Sequence, residues 1–485
     1  MTLRAPAQPA PPEPPSRSDE FVRGLSEAIG GPVGEHAIRR PAGAWYRVAA
    51  RIVLALLCLT FVAHWVQKSP CENGQWSDLK QYRQMCYTDV LALYYAEGLS
   101  DGQVPYADHK VEYPVLTGVF MGVLGLPVHQ LGQNHPEINQ GEWFYALNVL
   151  VLGAIALASV AAMLALRRRR PWDVAMFAAS PALLLTATVN WDLLAVGFGV
   201  FGLYAWARRH PVLAGVLLGL GTAAKLWPGF LFIPLLLLGL RTRRFREAFV
   251  AGLAGVVTWT LVNLPVAIGY PDAWREFFRL NETRGIDWGT FWYLGDHFPL
   301  VGALPGTGWF DANIIGLNWI TRGLFLLCCV GLGILVYKAP RPPRLGQLAF
   351  LIVAAFLIFS KVWSQQYVLW LLPLAVLARP RWGAFLAWQA AEVLYFCAFY
   401  GELLGASGKP IFPETVFDLA ALVRLAMVVM LCGYVIRDIV RPGQDVVRTS
   451  YDGGDPDGGV FNDPGGQESA SWSASRDEAL EALVS

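Results

Sequence analysis

Charge is what this chain has least of. Only 15% of its residues are Asp, Glu, Lys or Arg, where a soluble domain carries about a quarter, so an ordinary water-facing globular fold is excluded. The net charge is +1, which leaves no global basic field and no nucleic-acid partner. Seven cysteines are present, but no Cys/His spacing suggests a zinc site and no metal ligands are assigned. A P-loop, a nucleophile elbow and a zinc-protease helix are also missing. The string GLGTAA at 219–224 resembles a dinucleotide fingerprint, yet it lies in an apolar helix with no strand before it. Gly215 and Gly219 there read as close helix packing. No apolar core with a cleavage site opens the sequence, so no removable signal peptide is expected.

What the chain has in abundance is apolar surface. Hydrophobic residues make up 55%, with 19 Trp and 26 Phe, and the mean hydropathy is +0.40. These values point to a polytopic membrane protein. Residues 1–48 read as a cytoplasmic, largely disordered leader, Pro-rich at its start, with a short apolar pattern at 19–38. Residues 49–440 form the membrane domain, and the Gly-, Asp- and Ser-rich 441–485 read as a disordered cytoplasmic tail.

The expected fold is an all-α integral membrane fold of about twelve transmembrane helices. Spans fall at 49–66, 144–166, 173–190, 192–207, 211–227, 228–240, 247–268, 313–337, 346–360, 367–378, 383–401 and 416–436. Residues 114–132 are apolar enough to be another. Counting them as a span, however, places the arginine clusters at 167–170 and 241–246 outside. Reading them as interfacial or re-entrant puts every cluster inside, as the positive-inside rule favours. Both termini are then cytoplasmic. The first outer loop runs from 67 to 143 and carries interfacial helices, and a second spans 269–311.

The first outer loop holds most of the polar chemistry. From Cys71 to Tyr113 it gathers Asp78, Asp89, Asp101, Asp108, His109 and Glu112. Cys71 and Cys86 lie in the compartment where disulfides form, so a bridge is expected there, the other reading being two free thiols. In the second outer loop Trp288 and Trp292 are placed either to stack on sugar faces or to sit in an aromatic belt. Ionisable residues at span edges add Asp192, Lys225 and Lys361. The two lysines either snorkel to the interface or pair with a lipid phosphate as compact point charges. Asp89 either opens the helix VLALYYAEGL, where aspartate is favoured, or carries chemistry.

Four stretches together carry a family resemblance: CYTDVLALYYAEGLSDGQVPY, EYPVL, LAGVLLGLGTAAKLWPGFLFIPLLLL and SKVWSQQYVLWLLPLA. Scattered over roughly residues 80–380, they resemble the bacterial polyprenol-phosphate-mannose-dependent glycosyltransferases of the membrane-embedded C-type (GT-C) class. The chain departs from them at Ser364-Gln365-Gln366-Tyr367, where members commonly read S-P-Q-Y. The resemblance implies a polyprenyl-phosphate sugar donor, mannose or arabinose, and a lipid or envelope-glycan acceptor. It also implies inverting transfer, a bacterial inner-membrane location and an extracytoplasmic active site with a catalytic aspartate, which falls on Asp89. Lys225 and Lys361 are then expected at the donor phosphate. Asp78, Asp108, His109, Glu112, Tyr113, Asp192, Gln366, Trp288 and Trp292 are the further substrate-binding candidates. No cofactor is expected, since the lipid-linked sugar is a substrate, and a divalent metal is left open. Membrane lipids are the remaining partner. The competing class is a transporter or flippase for a lipid-linked sugar, against which no internal repeat relates the two halves.

Overall fold

The computed structural model describes residues 14–30, 42–74, 76–297 and 313–462. Residues 1–13 and 31–41 of the leader, 463–485 of the tail and 298–311 of the second outer loop lie outside the described residues. The fold is all-helical, at 78% helix, with no strand among the described residues. Among the described residues six helices are long and apolar enough to cross a membrane: Trp45–Cys71, Val115–Asn134, Gln140–Leu166, Phe245–Gly269, Ile314–Lys338 and Glu414–Val440. Shorter apolar helices are Asp192–Ala207, Pro211–Ala224, Trp227–Arg241, Leu345–Phe359 and Gln365–Ala378. The expected span at 173–190 is instead broken into Pro171–Val174, Ala175–Ala178 and Pro181–Thr186. Pro181 fits the first turn of the last piece, and Ser180 caps it by accepting from the Leu183 N–H.

Length and burial sort these helices. Every residue of Val368–Ala378 is buried, as is most of Leu345–Phe359, the signature of helices apolar all round and placed at a centre. Phe245–Gly269 and Ile314–Lys338 bury only a handful of side chains and lie at the rim. Sixteen residues of Asp192–Ala207 extend about 24 Å, against about 40 Å for the 27 of Gln140–Leu166. Their lower ends are level, because Arg167 and Trp206 both bond the segment 457–458. At the other end, Trp191 meets Asn148 (2.7 Å), eight residues inside the long helix. The short helix therefore stops about 12 Å below Gln140, and the bundle has a recess at that end.

The opposite end collects the arginines. Arg167 pairs with Asp457 at 2.5 Å and Arg344 with Asp445 at 2.7 Å. Arg379 pairs with Asp438 at 3.1 Å, Arg209 donates to the Asn462 carbonyl and Arg241 to that of Ala339. These contacts correct the disordered reading of the tail over 442–462. That segment folds into Pro442–Gln444, Val446–Ser450 and Gly459–Phe461, with Asp445, Asp455 and Asp457 buried. The leader is likewise ordered over 14–30, as Pro15–Ser18 and Glu20–Gly30. Asp19 there accepts from the Trp382 N–H (2.8 Å), so both terminal segments sit at the arginine end.

Val115–Asn134 lies obliquely across the recessed end. Near its start the Thr117 hydroxyl donates to the Ala224 carbonyl (2.7 Å), where Pro211–Ala224 finishes. Near its finish Gly132 leaves room for the side chain of Gln140, where the next helix begins. His129 bonds the Ser100 carbonyl (2.7 Å), so loop residues line the helix along its length.

Candidate active site

The recess is roofed by the segment from 69 to 113. Cys71 and Cys86 are joined by a disulfide (S–S 2.01 Å), which pins the start of that roof three residues before Asp89. Thr88 then caps the helix Asp89–Ala96 by accepting from the Val90 N–H. Its hydroxyl donates to the Thr188 carbonyl (2.5 Å), and the Asp89 N–H donates to that of Val189 (2.7 Å). Asp89 is thereby pressed into the broken turn that precedes Asp192–Ala207.

Asn190 meets it there. Its side-chain amide donates to Asp89 Oδ2 (2.8 Å) and to the Tyr113 hydroxyl (2.7 Å). Burial pushes the Asp89 carboxyl up from its ordinary value, while bonds from Asn190 and Tyr87 and the charge of Lys225 oppose the rise. Burial also pushes the Tyr113 phenol well above its ordinary range, with the Asp89 and Glu112 charges adding, so it stays protonated.

Lys225 lies against Tyr113. Its Nζ is 5.1 Å from the Tyr113 ring and 5.7 Å from that of Tyr367, in cation–π range of both. Asp192 stands 3.4 Å from it, and the Trp370 indole donates to the same carboxylate (2.6 Å). Asp89, Tyr113, Asp192 and Lys225, named from the sequence, are therefore brought together.

The other named residues are placed elsewhere or otherwise engaged. Asp78 is exposed and ion-paired to Arg83 (2.5 Å) and Lys409 (2.6 Å). Asp108 closes its own loop by accepting from the Val104 N–H (2.7 Å). His109 lies 2.8 Å from Glu97, though the pair is not aligned for a hydrogen bond. Burial pushes Glu97 up to about 7, helped by the charge of exposed Glu112. Gln366 is buried in the turn before Val368. Trp292 is buried, donating to the Phe359 carbonyl (2.9 Å), and Trp288 packs edge-on against Phe399; the Trp292 ring is thus closed off from stacking on a sugar.

Lys361 lies on the turn between Leu345–Phe359 and Gln365–Ala378. Its ammonium donates to the carbonyls of Glu282 (3.3 Å) and Arg284 (2.6 Å). Burial, then the charges of Arg284 and Arg322, push it down to about 8.

Several residues here escaped the sequence reading. Asn190, Tyr367 and Trp370 carry no charge and so gave no signal of a buried ion. Lys68 donates to the Tyr87 carbonyl (3.1 Å) and looks like one more basic residue after a span. Arg424 was legible as a lone arginine inside an apolar helix. It pairs with Glu392 (3.1 Å) and donates to the carbonyls of Trp363 (3.2 Å) and Ser364 (3.3 Å), holding the turn that carries Lys361. Among the described residues no three His, Cys, Asp or Glu side chains gather as a metal-holding group.

The recess thus sets a carboxylate with a raised pKa beside a phenol and a lysine, at the end of a bundle built from membrane-length helices. The family model of glycosyltransferase family 87 matches residues 113–362, just over half of the 485-residue chain. No curated protein matches the chain. The chain belongs to glycosyltransferase family 87, and it is a multi-pass membrane glycosyltransferase.

Proposed function

We propose that this member of glycosyltransferase family 87 transfers a sugar, mannose or arabinose, from a polyprenyl-phosphate donor to an extracytoplasmic lipid or envelope glycan. The chain crosses the membrane about twelve times, with both termini cytoplasmic and the recess outside. Support for this sidedness comes from the arginine clusters, which share one end of the bundle with both terminal segments. Val115–Asn134 then lies in the outer interface rather than across the bilayer.

The observation that carries the reaction is Asp89 in the recess, bonded by Asn190, whose amide also holds the Tyr113 hydroxyl, with Lys225 in cation–π range of the Tyr113 ring. An ionised carboxylate accepts at about four sites, so two donors leave room for an acceptor hydroxyl. In the proposed step the acceptor oxygen bonds the anomeric carbon as the bond from that carbon to the phosphate oxygen breaks. The lipid phosphate departs with the bonding pair, and the acceptor proton passes to Asp89. One displacement inverts the anomeric centre and needs no second carboxylate. Lys225 is the cation that would meet the charge developing on the leaving phosphate. Lys361, bonded to two carbonyls, holds the 282–287 segment against the turn at 360–364.

Membranes carrying Asp89→Asn, assayed with labelled polyprenyl-phosphate sugar, test this. Size and helix-start geometry are kept while basicity is lost, and turnover should fall by about 10²–10⁴-fold. Asp78→Asn, Asp108→Asn and Glu112→Gln should retain most activity. A fully active Asp89→Asn protein would overturn the assignment, and loss in one of the other three would move the base there.

A further inference from the structure

We propose that Asn190 is a positioning residue for the transfer: its one amide holds the Asp89 carboxylate and the Tyr113 hydroxyl in a fixed relation, tying the base to the phosphate-binding edge. The inference rests on Asp89 being the base.

The geometry leaves the amide no second orientation. A primary amide offers two hydrogens and one accepting oxygen. Here the nitrogen donates once to Asp89 Oδ2 (2.8 Å) and once to the Tyr113 hydroxyl (2.7 Å). The oxygen accepts from the Trp191 N–H (2.7 Å). Turning the amide over would set N–H against N–H at Trp191 and oxygen against carboxylate at Asp89, each a repulsive contact in a buried place. Trp191 is itself fixed, because its indole donates to Asn148 Oδ1 (2.7 Å) and Asn148 donates onward to the Phe144 carbonyl (2.8 Å). Asn148, Asn190 and Trp191 are all buried. Backbone adds a further hold, since Val189, next to Asn190, accepts the Asp89 N–H. Neighbouring residues thus grip the aspartate by main chain and side chain.

Two consequences follow for the chemistry. A hydrogen bond to the charged form of Asp89 favours ionisation and works against burial, which a base needs. At Tyr113 the bond is accepted by the phenol oxygen, so the phenol keeps its own hydrogen to donate. Its ring lies 5.1 Å from the Lys225 ammonium, which sets the ring that carries this O–H in cation–π range of the cation proposed to meet the lipid phosphate. Asn190 therefore sets the distance between the group that takes a proton and the groups that take a negative charge. A fixed relation of that kind is where positioning contributes to a displacement.

The test is the pH dependence of sugar transfer by full-length protein in membranes, with polyprenyl-phosphate sugar as the probe. Asn190→Ala should move the acid limb of kcat to higher pH by about one unit, because Asp89 loses a donor to its charged form. The deficit against wild type should then shrink as pH rises. Tyr113→Phe leaves the Asn190–Asp89 bond in place; it should raise KM for the donor several-fold and leave the acid limb where it was. A purely structural role would lower the amount of folded protein and leave the limb in Asn190→Ala unmoved, which would overturn the proposal. If Asn190→Ala does not accumulate, Asn190→Ser, with one donor in place of two, carries the same expectation at smaller amplitude. An unchanged donor KM in folded Tyr113→Phe would also overturn it. Failure of the base assignment is distinguishable: Asp89→Asn would then be active, whereas an inactive Asp89→Asn with an unmoved limb in the Asn190 variants removes this inference alone.

Discussion

At the arginine-rich end Arg167 meets Asp457 through bonds of 2.5 and 2.6 Å, and Arg344 meets Asp445 at 2.7 and 3.1 Å, all four side chains buried. At the recessed end Lys225 stands 3.4 Å from Asp192, Asp89 is held by an amide, and Lys361 faces carbonyls. The first set uses the planar guanidinium fork, which matches a carboxylate with two parallel bonds and is consumed by doing so. The second uses lysine, a point charge with three donors, at distances that leave capacity for another anion. One end spends its charge on holding segments together, and the other keeps charge available. Taking ions from water costs several kcal/mol each, and in the recess the Lys225–Asp192 contact at 3.4 Å offsets only part of it.

Breaking the saturated end should give the largest effect. Arg167→Ala breaks a buried pair and leaves Asp457 only the longer contact with Arg344 at 3.8 Å, a change that costs up to about 3–5 kcal/mol. The yield of monodisperse protein and its melting temperature in detergent should both fall sharply. Turnover per folded molecule should stay near wild type, since Arg167 is remote from the recess. Replacing both partners, as Arg167→Met with Asp457→Leu, should recover most of the stability. A double variant as unstable as the single one would mean that 442–462 is held by something other than these pairs.

The recess should respond in the opposite sense, in rate more than in fold. Lys225→Ala removes a cation beside the developing phosphate charge and should lower kcat/KM for the donor tens- to a thousandfold, about 2–4 kcal/mol. Donor kinetics matching wild type would reduce Lys225 to a structural partner of Asp192 and erase the contrast between the two ends. The roof comes next. Cys71→Ser with Cys86→Ser frees a loop of 15-residue separation, worth about 3 kcal/mol at most. The loop should become sensitive to protease while the membrane helices stay intact, and activity should fall with it. Unchanged protease resistance would show that packing alone fixes the roof.

How much of this was legible in sequence follows from which interactions are local. Hydropathy gave the membrane class and the helical fold, and the arginine clusters share one end because each terminates a helix. Lys225 stood out as an ionisable residue at a span edge, and Asp89 was singled out from the carboxylates of a polar loop by the family resemblance. The 442–462 segment was misread because Gly-Asp-Pro composition resembles a solvated tail. Its carboxylates Asp457 and Asp445 are neutralised chiefly by Arg167 and Arg344, pairings that no window along the chain contains. The break at 173–190 was missed for a related reason, since Pro181 sits where a proline suits a new helix as well as it interrupts an old one. Asn190 was invisible as a functional residue because its role depends on Asp89, 101 positions away.

Lys361 gives the smallest expected effect and the finest comparison, because it is a recess lysine engaged like a residue of the saturated end. Its pKa is pushed down to about 8, against an ordinary lysine near 10.4. In the folded protein the ammonium therefore loses its proton as pH rises through about 8, while an exposed lysine keeps it. A neutral amine still carries two hydrogens, enough for the carbonyls of Glu282 and Arg284. If Lys361 only holds the 282–287 segment, raising the pH from 7 to 9 should change donor KM by no more than about twofold through this residue. If it holds the lipid phosphate by charge, KM should climb roughly tenfold for each unit above 8, in step with the lost proton. Lys361→Arg, charged throughout, provides the reference: the two roles separate in whether this variant flattens the pH dependence of KM between 7 and 9. A steep wild-type rise that Lys361→Arg abolishes would move Lys361 to the phosphate beside Lys225. Parallel, shallow curves would leave it as the recess lysine engaged by the two carbonyls.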